Sequence, residues 1–150
     1  MKAKVKILRS EAKLPTRAYD DDAGLDFYYC PKEGEENIEI RPMGNAVIPT
    51  GISIEVPVGH MLEMKNKSGV AAKKQLLVGS CVIDRGYTGE IFVNLNNVGT
   101  KIQIIEPGQK VVQGVFVKIS QPELIIIDPS QGLYEKSDRQ DGSLGSTGDF

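Results

Sequence analysis

Apolar and polar positions alternate with a period of two along most of the chain. Val5/Ile7, Ile38/Ile40, Ile52/Ile54/Val56, Ile91/Val93/Leu95 and Ile102/Ile104 each skip one residue, the pattern of antiparallel strands with one buried face. Three runs are denser, Val111-Val112, Val115-Phe116-Val117 and Leu124-Ile125-Ile126-Ile127, and predict strands covered on both faces. Turn-forming breaks at Pro31-Lys32-Glu33-Gly34, Pro42-Met43-Gly44-Asn45, Pro57-Val58-Gly59 and Glu106-Pro107-Gly108 separate them. The pattern predicts an all-β sandwich or barrel. The opening M-K-A-K-V-K-I-L-R-S belongs to it: it alternates Lys with small or apolar residues and lacks the apolar core of a secretory leader, so it reads as a strand.

One segment breaks the period. After Ser68, a good N-cap residue, G-V-A-A-K-K-Q-L predicts a turn or two of helix ending before Gly79. The first amides of a helix are unpaired and the dipole is positive there, so this start, with Lys65 and Lys67 just before it, suits an anion. A short surface helix with solvated lysines has the same composition.

Between Val78 and Asn97 the apolar runs Val82-Ile83 and Ile91-Phe92-Val93 flank Asp84-Arg85-Gly86-Tyr87-Thr88-Gly89, whose glycines permit a tight turn. The stretch predicts a β-hairpin with one acid and one aromatic at its tip. A carboxylate following apolar residues can hold a water as general base. Taken alone, the same string is a solvated turn.

The 150 residues suit one domain with its own core, and no apolar run approaches the ~20 residues that cross a bilayer. The formal charge of −2, with both signs mixed along the chain, argues against nucleic acid as a partner, so any phosphate must be gripped locally. Cys30 and Cys81 lie far apart without metal-knot or disulfide spacing and read as reduced thiols of a cytoplasmic protein. His60 has no second His or Cys nearby to build a metal site. From Asp128 onward aliphatic residues become scarce and Gly, Ser and Asp abundant, a composition that does not order itself. Within it Gly142-Ser143-Leu144-Gly145-Ser146-Thr147-Gly148, with Arg139 before it, offers amides and hydroxyls to phosphate, as a linker also would.

Five short segments, taken in order, carry a resemblance. They are Asp22 to Phe27 (D-A-G-L-D-F), Lys67 to Ala71 (K-S-G-V-A), Cys81 to Glu90 (C-V-I-D-R-G-Y-T-G-E), Pro107 to Gln113 (P-G-Q-K-V-V-Q) and Arg139 to Gly148 (R-Q-D-G-S-L-G-S-T-G). In this order and at about these separations the chain resembles the trimeric dUTPases over nearly its whole length. The resemblance implies a β-clip, or distorted jelly-roll, with one short helix and a flexible Gly-rich C-terminal tail. It divides the chain into a β domain over 1–137 and a lid over 138–150. It implies a homotrimer with shared active sites, in which motifs one, two and four meet the third motif of a neighbour and the tail of the third subunit. The implied reaction is Mg²⁺-assisted hydrolysis of dUTP to dUMP and diphosphate, which keeps uracil out of DNA and supplies dUMP for dTMP synthesis.

Carried over by motif, Asp84 is the base that activates the water attacking the α-phosphorus. Tyr87 packs under the deoxyribose, and the backbone of Cys81, Val82 and Ile83 reads the uracil edge. Lys67, Ser68, Gly69 and Gln113 hold phosphate oxygens; Arg139, Leu144, Gly145, Ser146 and Thr147 close over the nucleotide. Asp26 supports the second motif from behind, and no protein residue ligates the metal, which phosphates and water hold.

The chain also departs from the family pattern. Lys67 replaces the usual Arg, a point charge in place of a planar fork. Gln109-Lys110 replaces Asp-Arg, Cys81 a Gly, Val78 an Asn and Thr88 an Arg, while Leu144 stands where an aromatic stacks on the base and Phe92 or Phe150 is left to substitute. Two other readings stay open at this point: a dCTP deaminase, which shares the fold, and a non-catalytic nucleotide-binding module.

Overall fold

The computed structural model describes residues 1–134. These contain β1 (Val5–Ile7), β2 (Leu25–Tyr28), β3 (Ile38–Ile40), β4 (Asn45–Pro49), β5 (Ile52–Ile54), β6 (His60–Lys65), α1 (Ser68–Lys74), β7 (Leu76–Val78), β8 (Val82–Ile83), β9 (Phe92–Asn97), β10 (Gln103–Ile105) and β11 (Lys110–Lys118). A four-stranded sheet in the order β2-β11-β6-β8 and a three-stranded sheet in the order β4-β9-β7 are joined by the pairs β1-β5 and β3-β10, every ladder being antiparallel. Phe27, Leu62, Met64 and Val112 from the first sheet share one core with Ile48, Leu76, Val93 and Leu95 from the second. This is the all-β, one-helix architecture that the alternation predicts.

The chain divides into two compact units, Met1–Ser120 and the part beginning at Gln121. The first holds every strand named above. In the second, Leu124-Ile125-Ile126-Ile127 forms no strand among the described residues, and three of the four side chains are at least four-fifths exposed. The strand expected there, covered on both faces, is therefore absent from the single chain: no ladder partner is present to satisfy its backbone. The expected domain boundary at 137/138 lies outside the described residues.

Alternation predicted strand existence better than strand facing. Ile52, Ile54, Val56, Ile91, Val93 and Leu95 are buried as expected, whereas Val5, Ile7, Ile102 and Ile104 are exposed. On β10 it is Ile105, opposite Ile38, that turns inward, a one-residue slip that sends Ile104 to the other face. On β11 the register shifts between Lys110 and Val112, so Val111 and Val112 are both buried while Val115, Phe116 and Val117 are only half-buried. This bulge has a consequence for charge. Lys110 pairs with Tyr28 and so shares a face with Asp26, two residues away on β2, rather than with Val112.

The helix begins one residue earlier than its sequence signal. Ser68 is its first residue, and extended Lys67 occupies the cap position without any side-chain cap bond. It closes on Gln75 in a left-handed conformation, φ 53°, whose N–H returns to Ala71 O at 3.0 Å, with Lys73 and Lys74 against the negative end of the dipole.

Candidate active site

Motifs one, two and four converge on Asp26. Its carboxylate is buried on β2, where Oδ1 accepts Lys67 Nζ at 2.8 Å and Oδ2 faces Lys110 Nζ at 2.7 Å, an ionic contact rather than a directed hydrogen bond. Burial pushes the Asp26 carboxyl up, but the ammonium groups of Lys110 and Lys67 outweigh it and hold it below the ordinary aspartate range. The Lys67 side chain is thereby drawn back from the helix start. Gln113, opposite both Asp26 and Lys65, donates Nε2 to Asn66 O at 2.9 Å, while Asn66 Oδ1 accepts Val78 N–H at 2.8 Å. Gly24 lies so close under Gln113 that a Cβ there would stand 2.4 Å from Oε1. Lys65 pairs with Glu63 at 2.7 Å.

In front of this cluster Ser68 and Gly69 are exposed, and a Cβ on Gly69 would meet nothing within 4 Å. Open space therefore borders the first amides of α1, which have no intrahelical acceptor.

The third motif is built differently from the hairpin expected for it. Val82 and Ile83 pair with Glu63 and Leu62 of β6, whereas Phe92 and Val93 pair with Pro49 and Ile48 of β4. The segment from Asp84 to Ile91 thus crosses from one sheet to the other. The sequence shows two apolar arms around a turn, and nothing in them names their ladder partners. The tip is a tight turn as expected, with Tyr87 N–H donating to Asp84 O at 3.2 Å over Gly86 at φ 103°. Val82, Ile83, Asp84, Tyr87, Glu90 and Phe92 line a pocket of about 230 Å³. Asp84 is exposed at its rim. Tyr87 Oη donates to Glu90 O at 2.7 Å, and Lys32 Nζ stands 5.1 Å from the Phe92 ring centroid. Cys81, a free thiol, accepts Met64 N–H through its backbone oxygen at 2.7 Å.

Within one chain the two groups are apart. The β6-β8 register sets Ile83 against Leu62, so Asp84 continues toward Met61 while Lys67 lies six residues beyond Met61 along the extended chain. At a strand rise of about 3.3 Å per residue the two backbone positions lie up to about 20 Å apart. Arg139, Leu144, Gly145, Ser146 and Thr147 fall outside the described residues. Glu90 and Lys110 escaped the sequence reading as site residues, though both stand inside the motifs. Among the described residues no group of three or more His, Cys, Asp or Glu could hold a metal, and no helix is long and apolar enough to cross a membrane.

The dUTPase family model matches residues 10–148. Among curated relatives, a deoxyuridine 5'-triphosphate nucleotidohydrolase of Hydrogenobaculum sp. is 37% identical over 150 residues, covering 99% of each chain. One from Clostridium tetani is 38% identical, covering 97% of this chain and 95% of its own. Among solved structures, a mutant dUTPase of Staphylococcus bacteriophage 80alpha with dUpNHpp superposes with a TM-score of 0.84 at 27% identity, covering 98% of each chain. A mutant dUTPase from phage phi11 of S. aureus, which reveals coordination of a structural Mg(II) ion, gives 0.76 at 25%, covering 85% of this chain and 97% of its own.

Proposed function

Since the chain belongs to the dUTPase family and hydrolyses dUTP to dUMP and diphosphate, we propose that Asp84 is the base of that reaction and that the site is completed between copies of the chain. Nothing in the matches favours a deaminase or a non-catalytic module. One contrast carries the assignment of the base. Asp26 is buried and neutralised by two lysines, whereas Asp84, to which the resemblance gives the role of base, stands exposed beside Tyr87 on a pocket of about 230 Å³. A carboxylate in that position can orient a water and take its proton as the water attacks the α-phosphorus, with diphosphate leaving.

The remaining roles are those that the family resemblance implies. Tyr87 underlies the deoxyribose, and the backbone of Cys81, Val82 and Ile83 reads the uracil edge. The open helix start at Ser68 and Gly69 takes phosphate oxygens, aided by Lys67 and Gln113. Because Lys67 is tied to Asp26, it acts as a fixed point charge behind the phosphates. Arg139, Leu144, Gly145, Ser146 and Thr147 close over the nucleotide. The described acids are too scattered to cage a cation, a donor set that fits Mg²⁺ held by the triphosphate and water. Mg²⁺ supplies charge neutralisation on the phosphate oxygens.

A strand path of up to about 20 Å between Asp84 and the Lys67 cluster is long for one triphosphate to bridge within a single chain. That separation, with the exposed apolar residues Val5, Ile7, Ile104 and Leu124–Ile127, supports sites shared between copies of the chain, and the family resemblance makes the assembly a homotrimer. With free thiols at Cys30 and Cys81, a cytoplasmic location is the natural setting. The test is diphosphate release from dUTP with Mg²⁺, beside dTTP, dCTP and UTP, for the wild type and Asp84→Asn. Selective hydrolysis that falls about 10²- to 10⁴-fold in the variant, with dUTP still bound, is expected. Hydrolysis retained by Asp84→Asn would remove Asp84 from the mechanism.

A further inference from the structure

Glu90 ends the third motif and has no role in the chemistry above, yet it is the most thoroughly held residue of the crossing segment. Its side chain is 11% exposed. Oε1 accepts Arg9 Nη2 at 2.5 Å and Gly51 N–H at 2.7 Å, and Oε2 accepts Arg9 Nη1 at 3.0 Å. The same Arg9 Nη2 donates to Cys30 O at 2.9 Å. The result is a bidentate fork that ties the loop to the segment after β1 and to the residue two beyond β2.

The surroundings are shaped to admit it. Gly51 has φ 69°, and a Cβ there would stand 2.5 Å from Ala12 Cβ and 3.3 Å from Arg9 Nη2. The positive φ and the approach of Ala12 Cβ both call for glycine there. Further bonds fix the same return leg: Ser53 Oγ donates to Thr88 O at 3.0 Å and Thr50 Oγ1 to Ile91 O at 2.7 Å. A largely buried ion pair is a poor source of net stability, since desolvating both charges offsets most of their attraction. Geometry is what it supplies here.

Glu90 faces two ways. Its carboxylate is locked inward by Arg9, and its backbone carbonyl accepts the hydroxyl of Tyr87. We infer that Arg9 and Glu90 are a positioning pair for sugar selection: by fixing the Glu90 carbonyl they hold the Tyr87 ring at the depth that leaves no room for a 2′-hydroxyl. The inference rests on the placement of Tyr87 under the deoxyribose proposed above. Neither residue touches the reacting atoms, so the pair acts on which sugar is admitted and leaves the attack by water alone.

The experiment measures kcat and KM for dUTP and for UTP, with Mg²⁺, on the full chain and on Glu90→Gln, Arg9→Lys, Tyr87→Phe and the double variant Glu90→Gln/Tyr87→Phe. Glu90→Gln should lower the dUTP-over-UTP ratio of kcat/KM roughly three- to tenfold, the equivalent of one hydrogen bond, while kcat on dUTP changes less. Tyr87→Phe keeps the ring and cuts the same link at its far end. It should therefore lose the same selectivity, and the double variant should lose no more than either single one. Arg9→Lys should fall in the same direction, because an ammonium cannot form the fork.

Unchanged selectivity in Glu90→Gln and Tyr87→Phe, or losses that add in the double variant, would overturn the inference. Tyr87 is nearly half exposed, so its Phe variant remains informative even if an Arg9 or Glu90 variant fails to fold. A wild-type chain that left dUTP intact would overturn the reading of the whole site and this inference with it; an active chain with unaltered variants would sink the inference alone.

Discussion

Replacing Asp26 by Asn removes one charge from the buried cluster and little volume. The carboxylate, with 6% of its side chain exposed, meets Lys67 at 2.8 Å. Taking one partner from a buried ion pair costs about 3–5 kcal/mol, because the other charge is left uncompensated. Lys67 keeps 31% of its side chain in water, which screens the orphaned ammonium and reduces the expected loss to about 2 kcal/mol. The more exposed Lys110 adds nothing to that figure. For a chain of this length the melting temperature should drop by about 4–8 °C.

Urea unfolding at fixed protein concentration, followed by far-UV circular dichroism or by the fluorescence of the five tyrosines, gives the difference. Its pH dependence has a definite sign. Although burial raises it, Lys110 and Lys67 leave the folded Asp26 carboxyl below its ordinary value of 3.8. A depressed carboxylate contributes stability that is fully present above the unfolded value and is lost as pH falls through the folded one. The gap between wild type and variant should be full near neutrality and close below pH 3.8. A variant within about 0.5 kcal/mol of wild type at neutral pH, or a gap that widens on acidification, would refute the account.

Other outcomes follow from the packing. Leu62→Ala empties a fully buried site between β11 and β8 and should cost about 2–5 kcal/mol by the same urea assay. Gly114→Ala would place its Cβ 2.6 Å from the Phe27 ring and 3.0 Å from Leu62 Cδ1, both in the core, and should cost about 1–3 kcal/mol as overpacking. Glu90 offers a second acid-sensitive element. Burial raises its carboxyl, but the bonds from Arg9 and Gly51 outweigh that and hold it below 4.5, so its contribution should vanish on acidification and be missing at all pH values in Glu90→Gln.

The turn and the helix start of the proposed site were legible because each is a short string. Asp84 and Tyr87 share one turn because Gly86 allows it, and Ser68-Gly69 opens a helix; residue types announced both elements, while the roles assigned to them came only with the resemblance of the five segments. Asp26 was expected behind the second motif, and its contact with Lys67 has that geometry. What the string could not carry was anything set by register. The β11 bulge turns Lys110 toward Asp26, and no residue type in Lys110-Val111-Val112 signals it. The crossing of the Asp84 segment between sheets depends on which ladder each arm joins, a long-range choice. Period-two alternation likewise identifies two faces of a strand without saying which is inward, and this is why Ile7 and Ile104 were expected inside. Arg9 and Glu90 are 81 positions apart, joined only once the fold is complete.

The crossing segment also works as a caliper. One jaw is Ile83 in the β6 sheet and the other is Phe92 in the β4 sheet, with Asp84 and Tyr87 on the bow between them. Any change in the spacing of the two layers must open or close that bow. Met64, deep in the shared core, already reaches the start of that bow through its N–H to Cys81 O at 2.7 Å, so a change of core packing there would bear on the segment that carries Asp84 and Tyr87. The packing of the interior and the setting of the Asp84–Tyr87 bow are thereby mechanically linked. Drift in the core would be constrained by that setting as well as by stability.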